Sequence, residues 1–434
     1  MKFQAPPGMR DFYPEDMRVQ NWLFERWRRA SRAFGFEEYE GPIFEYLDLY
    51  RLKSGAAIVS ELFHFQDRGQ REFAIRPEMT PTLARMVAAR AGALPRPIKW
   101  FSLPRMCRAE KPQRGRLREF FQWNVDILGV EDPLADAEVI AVCVAFLRDA
   151  GLTRDDVVVR VSSRPLVAAA LAGYGIAAAE SEQAFELIDR HDRISADEFT
   201  TKWDEAYGNR ISAAALTAFL ARATLQAALD SARAAGPAGR AAADQLGALW
   251  SQLAALGVAD WCQFDLRTVR GLAYYTGTVF ELHARQGRLR ALMGGGRYDD
   301  LTGLLGTVRV PGVGFGMGDA PVLELLRALG KLPTPRHTID AFIIDTDPGL
   351  FADVLRLAGV LRAAGLAVDY SYKRVAVGRQ FSQAAARGAR YAIVVGQEYL
   401  DRQELAVKNL ATGVQRAVAA DALRHDPAGV LGQV

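Results

Sequence analysis

Arg270 stands four residues ahead of two adjacent tyrosines, Tyr274 and Tyr275, within the stretch RTVRGLAYYTGTVFE at 267–281. Glycines flank the cation and the run after it, at Gly271 and Gly277. The alternating T-x-T-x-F-E run reads as a strand, and alternate side chains of a strand face opposite sides. On that reading one tyrosine lines a pocket while the other packs behind it.

A second stretch, RMCRAEKPQRGRLREFFQ at 105–122, carries Arg105, Arg108, Lys111, Arg114, Arg116 and Arg118, with Lys99 one strand away. Guanidinium groups bind phosphate oxygens bidentately, so a loop of them between two strands suits a polyphosphate. A solvated charged hairpin is the competing reading. The flanks weigh against it, because Phe120, Phe121 and Trp123 would anchor the second strand. Gln122 and Asp126, four apart on that strand, face the same side and need partners when buried. In RPEMT at 76–80, Glu78 and Thr80 could accept hydrogen bonds from a ligand ammonium. Thr80 also reads as the cap of a helix beginning at PTLARMVAARAG, and the two roles can coexist.

Other motifs say less. GGGRYDDL at 294–301 offers unhindered backbone amides, although glycine runs are most often turns. VPGVGFGMGD at 310–319 lacks the dinucleotide-binding glycine order, which argues against a Rossmann domain. His64, His191, His283, His337 and His425 show no metal-ligand spacing, and neither G-x-S-x-G nor a P-loop is present.

The elements that must position these residues follow from periodicity. Residues 15–34 read as an amphipathic helix with Trp22, Leu23, Phe24 and Trp27 on its apolar side. The segment 36–45 is extended and broken at Gly41-Pro42, 59–76 is a hairpin, and 97–107 and 118–129 are two more strands. A helix over 134–151 and a buried strand over 156–162 come next. The alanine-rich stretch from about 165 to 255 reads as a helical module. Strands return at 261–282 and 287–293, and KLPTPRHT at 331–338 marks a boundary before a small α/β segment with βαβ units.

Bulk composition sets the class. The chain has 434 residues, a soft prior for two or three domains, half of them hydrophobic and about a quarter charged. No 18-residue apolar run predicts a membrane span, and the N-terminus lacks the apolar core of a secretory signal. Three well-separated cysteines point to neither a disulfide framework nor a zinc site, so a reducing cytoplasm is the simplest compartment. A net charge of +3 means any nucleic-acid contact must come from a local basic surface.

Taken in order, PPGMRDFYPED at 6–16, GPIFE at 41–45, RPEMT, RAEKPQRGRLREFFQ, RGLAYYTGTVFE and GGGRYD resemble the histidyl-tRNA synthetase family of class II aminoacyl-tRNA synthetases. The resemblance covers essentially the whole chain and implies an α+β fold. Its parts would be an antiparallel catalytic sheet flanked by helices (1–164 and 256–330), a helical insertion (165–255) and a C-terminal α/β anticodon-binding domain (338–434). It implies histidine, ATP with Mg2+ and tRNA(His) as partners, no protein-borne metal motif, and a homodimer formed through the N-terminal helix and the segment around Pro42. By motif, Arg108 and Arg270 would grip the α-phosphate and the substrate carboxylate, Arg270 working partly in place of a metal ion. Glu110 and Arg116 would serve ATP. Glu78, Thr80 and Gln122 would hold the histidine ammonium and backbone, and Asp126 and Tyr275, with Tyr274 beside them, the imidazole. Gln113, Arg116 and Arg118 would approach the acceptor stem, and Arg374, Arg379 and Lys408 the anticodon.

Two departures stand out. Ala273 replaces an aspartate frequent in the family, and Pro321 occupies the position of the third motif's arginine, the next arginine downstream being Arg327. Pro321 favours a rival in the same structural family, the non-catalytic regulatory subunit of ATP phosphoribosyltransferase. The C-terminal segment, the cation-rich loop and the histidine pocket favour the synthetase. A tRNA-binding module without chemistry would have lost the arginines.

Overall fold

The computed structural model describes residues 3–54, 59, 61–112, 115, 117–191, 194–222, 224–270, 274–287, 289–335 and 338–434. Two compact units make up the chain, one from residues 1–11 and 20–333 and the other from 12–19 and 334–434.

In chain order the strands of the first unit are β1 (Glu37–Glu38), β2 (Phe44–Tyr46), β3 (His64–Gln66), β4 (Glu72–Ile75), β5 (Ile98–Ser102), β6 (Arg105–Cys107), β7 (Glu119–Leu128), β8 (Val157–Ser163), β9 (Cys262–Phe264), β10 (Thr278–Ala284), β11 (Met293–Arg297) and β12 (Gly312–Gly318). The main sheet runs β1-β5-β7-β12-β11-β10-β8-β9, with β6 paired to β7. Its interior pairs are antiparallel, while β1 on β5 and β8 on β9 are parallel, so the sheet is mixed rather than wholly antiparallel. A separate three-stranded sheet, β2-β4-β3, contains the hairpin read from 59–76.

The two central strands, β11 and β12, correct the sequence reading, which treated their glycines as turns and set a strand at 287–293. MGGGR and GVGFGMG are strands. Glycine is a poor strand former in isolation, but neighbours on both sides supply the ladder. The other face supplies the packing. There Phe315 meets Trp123 edge-on at 5.0 Å, and Trp123 stacks on Trp27 of the helix Pro14–Ala33 at 5.8 Å. The Trp123 indole N–H donates to Ser31 Oγ at 3.0 Å. Of that helix's four apolar residues, Leu23 and Trp27 are buried, and Trp22 and Phe24 are half-buried.

Helices cover the remaining faces. Pro237–Ala255 packs on Leu134–Asp149 and Arg164–Gly173, whereas Ser181–Arg190, Ala196–Tyr207 and Ala213–Arg222 pack in succession around Phe199, Trp203 and Tyr207. The second unit carries β13 (Ile339–Asp345), β14 (Val368–Tyr370), β15 (Ala389–Val395), β16 (Glu404–Asn409) and β17 (Gln415–Ala419) in the order β14-β13-β15-β16-β17. Its first three strands are parallel, with crossover helices Phe351–Ala363 and Val377–Ala386, as the βαβ pattern requires. Among the described residues no helix is long and apolar enough to cross a membrane.

A buried ionic contact ties sheet to helix. Arg297 on β11 pairs with Asp136, which is fully buried in Leu134–Asp149, and donates to the Val130 carbonyl at 2.8 Å. Removing one partner strands the other charge in the interior. Asp136→Ala is therefore expected to destabilise the chain by about 3–5 kcal/mol. Urea unfolding checks this, and an unchanged midpoint would refute it.

Candidate active site

Alternation on β7 sends Trp123, Val125 and Ile127 into the core and Gln122, Asn124 and Asp126 to the opposite face. Register carries that face across the sheet in rows. One row reads Trp100, Asp126, Gly314, Gly296, Val279, and the next Ser102, Asn124, Gly316, Gly294, Glu281, Arg160. A third starts with Gln122 opposite Gly318. Successive rows lie about 7 Å apart, two residues along a strand.

The middle of each row is glycine because neighbouring side chains lie across it. A Cβ on Gly314 would fall on the Asp126 carboxylate, and one on Gly294 on the Arg270 guanidinium. A cavity of about 980 Å³ opens above this floor. Glu78, Thr80, Arg108, Glu110, Gln122, Arg270, Tyr274 and Tyr275 all line it, although they come from four separate stretches of chain.

Several expectations change in detail. Thr80 is the first residue of the helix Thr80–Ala89, whose cap is Met79 with no side-chain bond, so Thr80 does not cap the helix and its side chain lines the cavity. Tyr274 and Tyr275 lie before β10 begins at Thr278, so strand alternation does not separate them. Both line the cavity, with ring centroids 4.6 Å apart. The Tyr274 hydroxyl donates to Glu78 Oε2 at 3.4 Å, and the Arg270 guanidinium sits 5.6 Å from the Tyr275 ring centre. Not every cation faces the cavity. Lys99 pairs with Glu138 at 2.5 Å and Arg105 with Glu119 at 2.9 Å. Arg118 donates to the Glu110 carbonyl at 3.0 Å, away from the lining. Arg108 lines it, its Nε donating to the Pro77 carbonyl at 3.0 Å and its guanidinium lying over Phe120. Gln113, Arg114, Arg116, Gly271, Ala273 and His337 lie outside the described residues. In the second unit Arg374 pairs with Asp345 and lies 3.5 Å over the Phe351 ring, Lys408 sits near the Phe381 ring, and Arg379 is exposed.

Three cavity-lining residues escaped the sequence reading. Tyr298, inside GGGRYDDL, donates its hydroxyl to Asp126 Oδ1 at 2.5 Å and lines the cavity. Asn124 sits between Gln122 and Asp126 on the same face, and the period-2 rule that paired those two would have found it. Glu281, at the end of the TVFE run, bonds Arg270 at 2.9 Å. Pro321 also lines the cavity, in the first turn of the helix Asp319–Ala328, where proline's missing N–H costs no helical bond. Beside it the buried Asp319 accepts from Arg10 at 2.7 Å and from the Phe121 N–H at 3.0 Å.

Sheet and pocket together have the architecture of a class II aminoacyl-tRNA synthetase: a mostly antiparallel sheet with a polar, cation-lined face, followed in sequence by a separate α/β unit. A family model described as histidyl-tRNA synthetase matches residues 8–320, and one described as an anticodon binding domain matches 340–425. The chain belongs to the histidyl-tRNA synthetase family. It is 40% identical to a histidine–tRNA ligase of Opitutus terrae, over 96% of each chain. It is also 38% identical to a chloroplastic/mitochondrial histidine–tRNA ligase of Arabidopsis thaliana, over 94% of this chain and 84% of that one. A crystal structure of histidyl-tRNA synthetase from Nostoc sp. PCC 7120 has the same fold, with a TM-score of 0.80 at 23% identity, covering 100% of this chain and 99% of that one.

Burial pushes the Asp126 carboxyl up to about 7, a rise the Tyr298 hydrogen bond only partly opposes. A folded pKa above the unfolded one means that folding takes up a proton. Stability is then full at low pH and is lost as pH rises through about 7. Asp126→Asn removes that dependence. Its stability relative to wild type is expected to rise from about pH 4 to about pH 7 by a few kcal/mol, then level off. Urea unfolding across pH tests this, and a pH-independent difference would refute it.

Proposed function

We propose that the chain joins L-histidine to tRNA(His) through a histidyl-adenylate made from ATP. The observation that carries this reading is Asp126, a buried carboxylate just beneath the lining that holds Tyr298, itself part of a cavity whose wall also has Arg108 and Arg270. An imidazole presents two nitrogens to such a carboxylate and the neighbouring tyrosine hydroxyls, and apolar side chains of similar size would leave those groups unpaired. Tyr275 is our choice for the second ring contact, with Tyr274 closing the corner beside Glu78.

Glu78, Thr80 and Gln122 would take the ammonium and backbone of the amino acid. Its carboxylate is ionised at neutral pH, so attack needs positioning rather than a general base. One carboxylate oxygen bonds to the α-phosphorus as the bond to the bridging oxygen breaks, and pyrophosphate leaves with that electron pair. Negative charge grows on the α-phosphate oxygens, where Arg270 and Arg108 would meet it. The terminal ribose hydroxyl of the tRNA then attacks the carbonyl carbon, and AMP departs. Glu110 and Arg116 would serve ATP, and Gln113 and Arg118 the acceptor end. Magnesium would enter with ATP, bound largely through its phosphates. Residues 1–164 with 256–330 would act as the catalytic core, 165–255 as an insertion and 338–434 as the anticodon reader. Cys107, Cys143 and Cys262 are free thiols, which supports a reducing, cytoplasmic setting.

A second reading, the regulatory subunit of ATP phosphoribosyltransferase, is favoured by Pro321 alone. Histidine-dependent exchange of pyrophosphate into ATP separates the two. We expect exchange and subsequent charging of tRNA(His); folded protein without exchange would promote the regulatory reading. Arg270→Ala is expected to lower exchange by about 10²–10³-fold while histidine binding partly survives. Equal rates in mutant and wild type would remove Arg270 from the mechanism.

We also propose a homodimer. Ile43, Phe44, Tyr46 and Phe65 are exposed around Pro42, and Phe44, Tyr46, Phe65 and Phe73 form one aromatic cluster. A contiguous apolar patch of this kind marks an interface. Light scattering should give twice the 47.7 kDa chain mass, and Phe44→Glu should shift it toward one chain mass. A wild-type mass of one chain would sink the proposal.

A further inference from the structure

We propose that Glu281 is a positioning residue that acts through Arg270, an assignment that rests on the histidine-activating reading above. Glu281 Oε1 accepts from Arg270 Nη1 at 2.9 Å, and Oε2 lies 3.0 Å from His283 Nε2. Register sets Glu281 directly opposite Gly294, the residue whose missing side chain makes room for the guanidinium. The carboxylate on the adjoining strand thus stops the guanidinium at the far side of that gap.

Arg270 depends on such a stop. Its φ of 52° lies in the left-handed region, which a non-glycine residue holds only when its surroundings determine it. Its long side chain has high rotamer entropy, so a fixed head group needs an anchor. The anchor uses Nη1, while Nε is buried with no hydrogen-bond partner. Nη2 is therefore the head-group nitrogen left to meet a phosphate or carboxylate oxygen in a charge-assisted hydrogen bond. Glu281 itself need touch no substrate. It fixes where Arg270 presents Nη2, and His283 shares its second oxygen.

A double-mutant cycle in the full-length chain tests this. Glu281→Ala should lower kcat for pyrophosphate exchange on the order of a hundredfold, the loss typical of a misplaced catalytic group. The KM for histidine should stay within about threefold. Glu281→Gln can still accept from Arg270 and hydrogen-bond His283, and should recover most of the rate even if the alanine variant folds poorly. In an Arg270→Ala background, Glu281→Ala should change nothing further. Equal losses in both backgrounds, a loss confined to KM, or a glutamine variant as impaired as the alanine variant would each overturn the proposal. Calorimetric binding of a non-hydrolysable histidyl-adenylate analogue repeats the cycle without turnover. If the wild type binds the analogue but exchanges no pyrophosphate, the activation reading falls and the binding cycle still decides Glu281.

Discussion

The site depends on two adjacent strands that carry no side chains on one face. Gly294 and Gly296 on β11 face Gly316 and Gly314 on β12, and the polar groups of flanking strands lie across the bare backbone. A side chain at Gly314, Gly316, Gly294 or Gly296 would run into Asp126, Gln122, Arg270 or Tyr275. The opposite face compensates for the weak strand propensity of glycine, with Met293, Phe315 and Met317 buried against Trp123 and its helical neighbours. One face is emptied for a ligand and the other is filled to keep the strands in place.

The same burial sets the electrostatics. Asp126 accepts from the Tyr298 hydroxyl and has no cation against it among the described residues, so desolvation dominates and its proton is held to near neutral pH. Asp136, also buried, has Arg297 against it and forms an ion pair. Two aspartates in one interior thus serve different ends because one faces a phenol and the other a guanidinium. A carboxylate that titrates near neutrality can donate to or accept from an imidazole nitrogen, whereas a paired one only braces the sheet.

Much of this was legible in the sequence. Period two put Gln122 and Asp126 on one side of β7, and the apolar runs marked the strands of the C-terminal unit. The glycine strands were not legible, because local propensity says turn and only the tertiary demand for a bare floor says strand. The tyrosine pair was misjudged because strand geometry was extended four residues too early. Nor could sequence tell which cations face the cavity, since Lys99 and Arg105 are taken up by Glu138 and Glu119, 39 and 14 residues away. Those pairings arise from strand and helix packing, which charge patterning along the chain does not encode.

Pro321 bears on how charge is distributed around the phosphates. The first turn of its helix is anchored by Asp319, whose carboxylate holds Arg10 and the Phe121 N–H, and proline adds no donor there. Guanidinium groups line the cavity from other places instead, with Arg108 after β6, Arg160 on β8, and Arg190, Arg267, Arg270 and Arg290 from further segments, and Glu281 and His283 lie on β10. A site whose helix offers proline rather than a guanidinium here depends on the exact presentation of the guanidinium groups elsewhere. Electrostatic catalysis rewards fixed orientation more than charge count. With proline rather than a cation at 321, the contacts that hold Arg270 still gain importance.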